Sequence, residues 1–500
     1  MLFTTPQFIF LFLPICLIFV GLAIRFTGMK GGFIALSLSS IVFYAQWHLP
    51  DVLVILSSIA VNFTVAYLLS SPKTKHRFPI LFFGVAVNIL ALIYYKYTNF
   101  ILTNFGYSAI NIILPLGISF FTFQQIAFIV DIYRGDVGKI VFSNYAVTVL
   151  FFPHLIAGPL IHYKAIMDQF ERNFSVKLTN IVYGFSIFTV GLAKKLAIAD
   201  PIAIIINPIF QKSQVAPLEF FSAWAASLGY TAQLYFDFSG YSDMAIGIGL
   251  MFGIVLPMNF NSPYRSTSII EFWRRWHITL SLFLRDYLYI PLGGNRVPQV
   301  RWYTNLLIVM AIGGFWHGAG WNFIIWGGLH GIYLVTNHIW RRNIPNKFRE
   351  NYILHPIYWA ITFFSVIFAW DFFRAPTIHS AINIIKYMFC IRNASLPGEI
   401  GLFTHIKNGH PFGILYTGTG ITFPNLCSIL VYLIFGYAII LMCPNSEKLT
   451  GVRSKIIGAA PPHTFGLRDV AQAMLVGALL WIAAFGVFGA APSEFLYFQF

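Results

Sequence analysis

Charge is what this sequence has least of. Asp, Glu, Lys and Arg make up 10% of its 500 residues, against about 25% in an ordinary soluble domain. With 58% hydrophobic residues and a mean hydropathy of +0.72, no water-soluble core would hide the apolar surface. The chain reads as an all-α polytopic membrane protein. Acidic residues are the scarcer sign: 17 Asp and Glu stand against 32 Lys and Arg, a net charge of +15. No basic face with interleaved aromatics stands clear of the apolar runs, which argues against nucleic acid as a partner. The excess instead fits basic residues gathered in cytoplasmic loops.

Cysteine is scarce as well. Cys16, Cys390, Cys427 and Cys443 form no CxxC or Cys/His ligand spacing, so no metal site is expected from them. The sequence has no GxSxG elbow and no HExxH pair. It has no visible repeat and no low-complexity linker. Its start, "MLFTTPQFIFLFLPICLIFVGLAIR", lacks a positive segment before the apolar run, and reads as a retained first span. The longest polar interruptions, near 341–352, 391–411 and 444–468, are too short to fold a soluble module. One integral domain over 1–500 is therefore expected.

What the chain does have is long apolar runs. Those near 8–24, 31–46, 52–70, 79–95 and 109–130 are long enough to cross a bilayer. Basic residues in the short connections alternate: Arg25 and Lys30, then none, then Lys73, Lys75 and Arg77, then Lys96, then Arg134 and Lys139. The odd connections are expected to be cytoplasmic and the N-terminus outside. Later candidates lie near 179–208, 217–234, 243–259, 303–315, 320–338, 353–373, 424–443 and 470–490. About 11 spans are expected, with re-entrant or interfacial helices beside them. "FFPHLIAGPLIHY" (151–163) has two prolines and a glycine and predicts a broken segment. Such backbone is tolerated at membrane depth only inside protein or along a cavity.

Three stretches carry chemistry. Residues 259–296, "NFNSPYRSTSIIEFWRRWHITLSLFLRDYLYIPLGGNR", hold too many charges for a lipid-facing span and too many aromatics for a free loop. His277, Ser281 and Leu284 fall at helical spacing, and a cavity-lining or interfacial helix fits. In "LYFDFSGYSDMAIGIG" (234–249), Asp237 and Asp243 suggest either acid/base work or polar packing near a membrane face. "GGFWHGAGWNFIIWGGLHG" (313–331) holds His317 and His330, three tryptophans and seven glycines, with no charged residue. Thirteen residues between the histidines is not the i, i+4 spacing of a helical metal pair. Burial disfavours an imidazolium, so a histidine in such a setting starts as a base able to take a hydroxyl proton. Glycines allow close approach and tryptophans exclude water, which suits acyl transfer from an activated ester to an alcohol. A transporter or flippase without covalent chemistry is the alternative from another class, although no inverted repeat is evident.

"FWHG" and "WGGLHG", preceded by "EFWRRWHITLSLFLRDYLYIPLGGNR", resemble the membrane-bound O-acyltransferase (MBOAT) family, in particular its bacterial alginate O-acetyltransferase-like branch. "PLGISFFTFQQIAFIVDIYRG" (115–135), "QLYFDFSGYSDMAIGIG" and the aromatic end "SEFLYFQF" are similar to that branch too. The likeness runs over about 100–340, the expected catalytic core. It implies a ring of helices around a central tunnel, with a funnel from each side. It implies His330 as the invariant histidine, assisting transfer, with His277 and His317 as further polar groups of the tunnel. It implies an acyl group, acetyl in that branch, taken from a cytoplasmic donor such as acetyl-CoA, with no permanently bound cofactor. Arg274, Arg275, Lys194 and Lys195 are candidates for the donor's phosphates, or else membrane-edge anchors. The implied location is the bacterial inner membrane, among lipids. The implied partner is a periplasmic SGNH-like acetyltransferase, and the implied final acceptor an extracytoplasmic polysaccharide: alginate-like exopolysaccharide, cellulose or peptidoglycan.

Overall fold

Inside a bilayer, an apolar run of about 20 residues satisfies its own backbone only as a helix. A computed structural model describes residues 1–138, 140–161, 163–349, 351–391, 423–450, 467–489 and 495–496. Among the described residues the regular elements are all helical. Five helical stretches among the described residues are long and apolar enough to cross a membrane: Gln7–Ala45, Asp51–Ser70, Arg77–Asn104, Tyr352–Arg374 and Val470–Gly489. The polar interruption over 392–411 and most of the aromatic end lie outside the described residues.

The first stretch contains both of the first two expected spans. Helix α1 (Leu13–Ala45) breaks at Gly28, whose φ of 75° and ψ of −167° are not helical. A straight helix would put Phe8 and Phe43 about 50 Å apart; their rings lie 5.8 Å apart. The chain therefore doubles back at Gly28, where a side chain would be strained. Helices α2 (Asp51–Ser70) and α3 (Arg77–Leu92) follow as expected. Lys96 does not lie in a connection: it sits in the helical continuation of α3. The span expected over 109–130 begins later, as α4 (Ile118–Arg134).

The two spans expected near 217–234 and 243–259 are one helix. After α5 (Leu178–Ala193), α6 (Phe220–Met251) runs for 32 residues through "DFSGYSD" without a break. Its polar residues do not end the helix because basic partners meet them. Lys194 Nζ lies 2.6 Å from Asp243 Oδ2. Lys195 Nζ lies 2.5 Å from Asp237 and 2.8 Å from Asp200. Ser446 donates to Asp243 Oδ2 at 2.6 Å, and the backbone N–H of Leu496 donates to Asp237 Oδ2 at 3.0 Å. Buried charges in a membrane protein are expected to be paired in this way. Gly191 and Gly240 face one another across α5 and α6, so that a Cβ on either would meet the other's carbonyl oxygen. Small residues permit that approach.

Residues 151–161 break as expected, into a short helix Phe152–Leu155 and irregular chain, nearly all of it buried. The stretch 259–296 yields two short helices, α7 (Ile269–Arg275) and α8 (Ile278–Leu284). His277 belongs to neither; it joins them with φ 40°. Helices α9 (Gln299–His317), α10 (Trp321–Asn343) and α11 (His355–Arg374) complete the central part, with α12 (Phe423–Met442) and α13 (Leu467–Gly489) beyond it.

Removing one partner of a buried ion pair costs about 3–5 kcal/mol, because the other is left uncompensated. Asp243→Ala should therefore lower the thermal midpoint of the micelle-solubilised protein markedly. Asp243→Leu combined with Lys194→Met should recover most of the loss. An unchanged midpoint for Asp243→Ala would contradict a structural role for the pair.

Candidate active site

Two cavities approach each other along α4. One, of about 90 Å³, lies at its N-terminal end and is lined by Trp47, Lys96, Gly117, Ser119, Trp316 and His317 among others. The other, of about 290 Å³, lies further along α4 and is lined by Gln124, Gln169, Leu160, Thr279, Phe283 and Tyr287 among others. They are called here the Trp47 cavity and the Tyr287 cavity. Tyr287 donates to Asp131 near the C-terminal end of α4 at 2.6 Å.

A partition lies between them. The irregular segment runs past it, with Ile156 lining the Trp47 cavity and Leu160 and Ile161 lining the other. Gly117, at φ 73°, lets α4 start against this segment: a Cβ there would sit 3.0 Å from Ile156 Cα. Aromatic rings fill another part. Phe123 is sandwiched between Phe283, at 4.3 Å, and Trp316, at 5.0 Å, both stacked.

A polar path crosses beside these rings. Thr279, on the wall of the Tyr287 cavity, accepts from the Leu160 amide at 3.0 Å and donates to Asn259 Oδ1 at 2.7 Å. The same oxygen lies 3.3 Å from His277 Nδ1. The His277 ring then lies 6.5 Å from the His317 ring, and His317 lines the Trp47 cavity. A non-glycine residue at positive φ, as His277 is, costs on the order of 1–3 kcal/mol and persists only where its surroundings enforce it. Here Asn259 does so from both directions, since its backbone carbonyl also accepts from the Ile278 amide at 3.0 Å.

His330 is fully buried but lines neither cavity. Its ring is boxed by Trp326 at 4.9 Å, Trp273 at 5.1 Å, Tyr333 at 5.7 Å and Phe272 at 6.1 Å. Neither ring nitrogen has a hydrogen-bond partner among the described residues. His154 shows the ordinary alternative: one ring nitrogen meets Thr148 O and the other Gln124 Nε2, both at 2.9 Å. Trp326 touches His330 and His317 alike, the latter at 5.0 Å. The three histidines expected from sequence thus form one cluster.

The four basic candidates do not share one place. Arg274 is exposed, and Arg275 pairs with Glu271 at 2.7 Å. Lys194 and Lys195 are held in the α5–α6 ion pairs. Sequence reasoning passed over Asn259 and Thr279, which lack a motif of their own. It counted Lys96 as a loop charge, although a lysine beside "LIYY" already signalled a charge at depth.

The chain is similar to proteins of one kind. Residues 137–374 match the model of the membrane-bound O-acyltransferase family. A Helicobacter pylori protein named peptidoglycan O-acetyltransferase is 43% identical over 436 residues, covering 79% of this chain and 81% of its own length. A Pseudomonas aeruginosa protein named probable alginate O-acetylase AlgI is 40% identical over 402 residues, covering 78% and 75%. A teichoic acid D-alanyltransferase of Streptococcus thermophilus is 29% identical over 255 residues, covering 48% and 61%.

A displacement of about 1 Å in a reacting group costs on the order of 10²-fold. Asn259→Ala frees His277 and Thr279 together, so acyl transfer per molecule should fall by about that factor at unchanged abundance in the membrane. Wild-type turnover in that variant would remove Asn259 from the site.

Proposed function

We propose, from the premise that the chain belongs to the membrane-bound O-acyltransferase family and is an O-acyltransferase, that it passes an acetyl group across the inner membrane at the partition between the two cavities. The observation that carries this reading is that two cavities lie along α4, with His317 on the wall of one and, on the wall of the other, Thr279, which shares the Asn259 side-chain oxygen with His277. The transporter alternative loses its support, because the relatives found are named for group transfer.

The donor is acetyl-CoA, entering the Tyr287 cavity from the cytoplasm. That side is supported by charge: the Tyr287 cavity lies toward the Arg134 end of α4. The Trp47 cavity lies at the end of α2 opposite the basic connection with Lys73 and Lys75. The N-terminus then faces outward. Arg274 and Arg275 stand at the donor side and attract its phosphates, whereas Lys194 and Lys195 serve the fold. The surrounding architecture is a ring of about 11 spans.

The acceptor hydroxyl enters the Trp47 cavity. A general base must be within hydrogen-bond reach of the proton it takes, and His317 is the histidine on that wall. Its imidazole takes the hydroxyl proton as the oxygen attacks the acetyl carbonyl. The carbon–sulfur bond breaks, and the proton leaves with the thiolate as CoA thiol. His277, held by Asn259, borders the same path. His330, to which the resemblance gives the leading role, supports His317 through Trp326. The relatives' names point to alginate-like polysaccharide or peptidoglycan as the final acceptor, with cellulose a further candidate. A periplasmic SGNH-like acetyltransferase completes the delivery.

Loss of a general base costs roughly 10²–10⁴-fold. His317→Ala should lower acetylation of the envelope polymer by that range, and His330→Ala by less, at matched expression. Near-normal acetyl content in His317→Ala cells would refute the assignment. The reverse order would return the base to His330.

A further inference from the structure

The last carbonyls of a helix have no partner within it, and at membrane depth no water meets them. Helix α9 ends at His317 in this setting. The next residue, Gly318, is extended, with φ −159° and ψ 150°, so no left-handed turn folds back to cap the helix. The chain then passes to α10 through Gly318, Ala319 and Gly320, which offer no side chain larger than a methyl to anchor it.

The partners come from elsewhere in the chain. The Tyr97 hydroxyl donates to the Phe315 carbonyl at 2.9 Å. The ammonium of the neighbouring Lys96 donates to the carbonyls of Trp316 at 2.7 Å and His317 at 3.0 Å. Two successive residues thus hold three successive carbonyls, up to the last residue of α9. Both belong to the π-helical turn Ile93–Tyr97 that continues α3, a conformation found frequently at functional sites. The Tyr97 ring stacks on Phe315 at 4.1 Å. The third donor of the ammonium meets Ser119 Oγ at 3.2 Å, at the start of α4. Trp316 Nε1 donates to the Ser119 carbonyl at 3.3 Å, which ties the same helix end to α4 a second time. Lys194 and Lys195 meet carboxylates. Lys96 meets instead the negative end of the α9 dipole. A charge at this depth is expensive and marks function.

We propose that Lys96 is a positioning residue: with Tyr97 it caps α9, and so fixes where the His317 imidazole stands on the wall of the Trp47 cavity. It acts through the helix end rather than on a reacting atom. This rests on the proposal that His317 is the base.

The test uses inverted membrane vesicles from cells that make the full chain, so that it keeps its own partners and acceptor. Acetyl-labelled CoA is supplied, and label fixed on the acceptor is followed against donor concentration at matched abundance. Lys96→Met should lower the maximal rate by about tenfold to a hundredfold, the scale of misplacing a reacting group by up to about 1 Å. The half-saturating donor concentration should not change. Lys96→Arg, which keeps charge and donors, should recover most of the rate. If Lys96→Met does not accumulate, Tyr97→Phe is read in the same way: it keeps the stacked ring, loses only the bond to Phe315, and should show a smaller fall in maximal rate. An unchanged maximal rate, a loss carried by the half-saturating concentration, or no recovery in Lys96→Arg overturns the proposal. His317→Ala, measured beside them, separates the two readings. Wild-type transfer in that variant removes the base that the cap would serve. A wild-type maximal rate in Lys96→Met beside an impaired His317→Ala removes the cap alone.

Discussion

Backbone that stops being helical at membrane depth must find a partner for every amide and carbonyl without help from water. Residues 151–161 impose that demand, and much of the centre is arranged to meet it. The Phe152 amide donates to Ser40 Oγ at 3.3 Å, and the Leu160 amide donates to Thr279 Oγ1 at 3.0 Å. His154 is fixed by Thr148 and Gln124. Side chains from α1, α4 and α8 hold this irregular chain. The course of the chain between the two cavities depends on these few hydrogen bonds.

The same economy governs charge. Where α5 and α6 pack closely, each carboxylate of α6 meets a lysine, and a 32-residue helix stays whole despite "DFSGYSD". Not every buried polar group is met in this way. His330 has two ring nitrogens without partners among the described residues, and Asn259 Nδ2 has none either. Buried polar groups are nearly always hydrogen-bonded in proteins, so these exceptions stand out beside the paired charges of α6.

Much of this was legible in the sequence. Hydropathy identified the membrane class, prolines and glycine marked the break at 151–163, and the histidine motifs pointed to the cluster. The misses share a cause: hydropathy sees residues singly, whereas charges are settled in pairs. Asp237 and Asp243 looked like a gap between spans because their lysines lie over 40 positions away. Lys96 looked like a loop charge because its partners, Trp316 and His317, come from a helix far along the chain. The roles of Asn259 and Thr279 depend on a turn with positive φ at His277, which no periodicity announces. The likeness to acyltransferases made the function readable before the geometry did, but it did not rank the three histidines. Of the three, His317 is the one on a cavity wall.

The central claim is that an acyl group crosses the membrane at the partition while its carrier stays behind. The direct test uses proteoliposomes of uniform orientation, with acetyl-labelled CoA on the side of the Lys73–Lys75 connection and an acceptor sealed on the other. Labelled acetyl should appear on the sealed acceptor while the CoA thiol is recovered on the donor side. Transfer seen only when donor and acceptor share a side, or CoA found with the acceptor, would contradict the account.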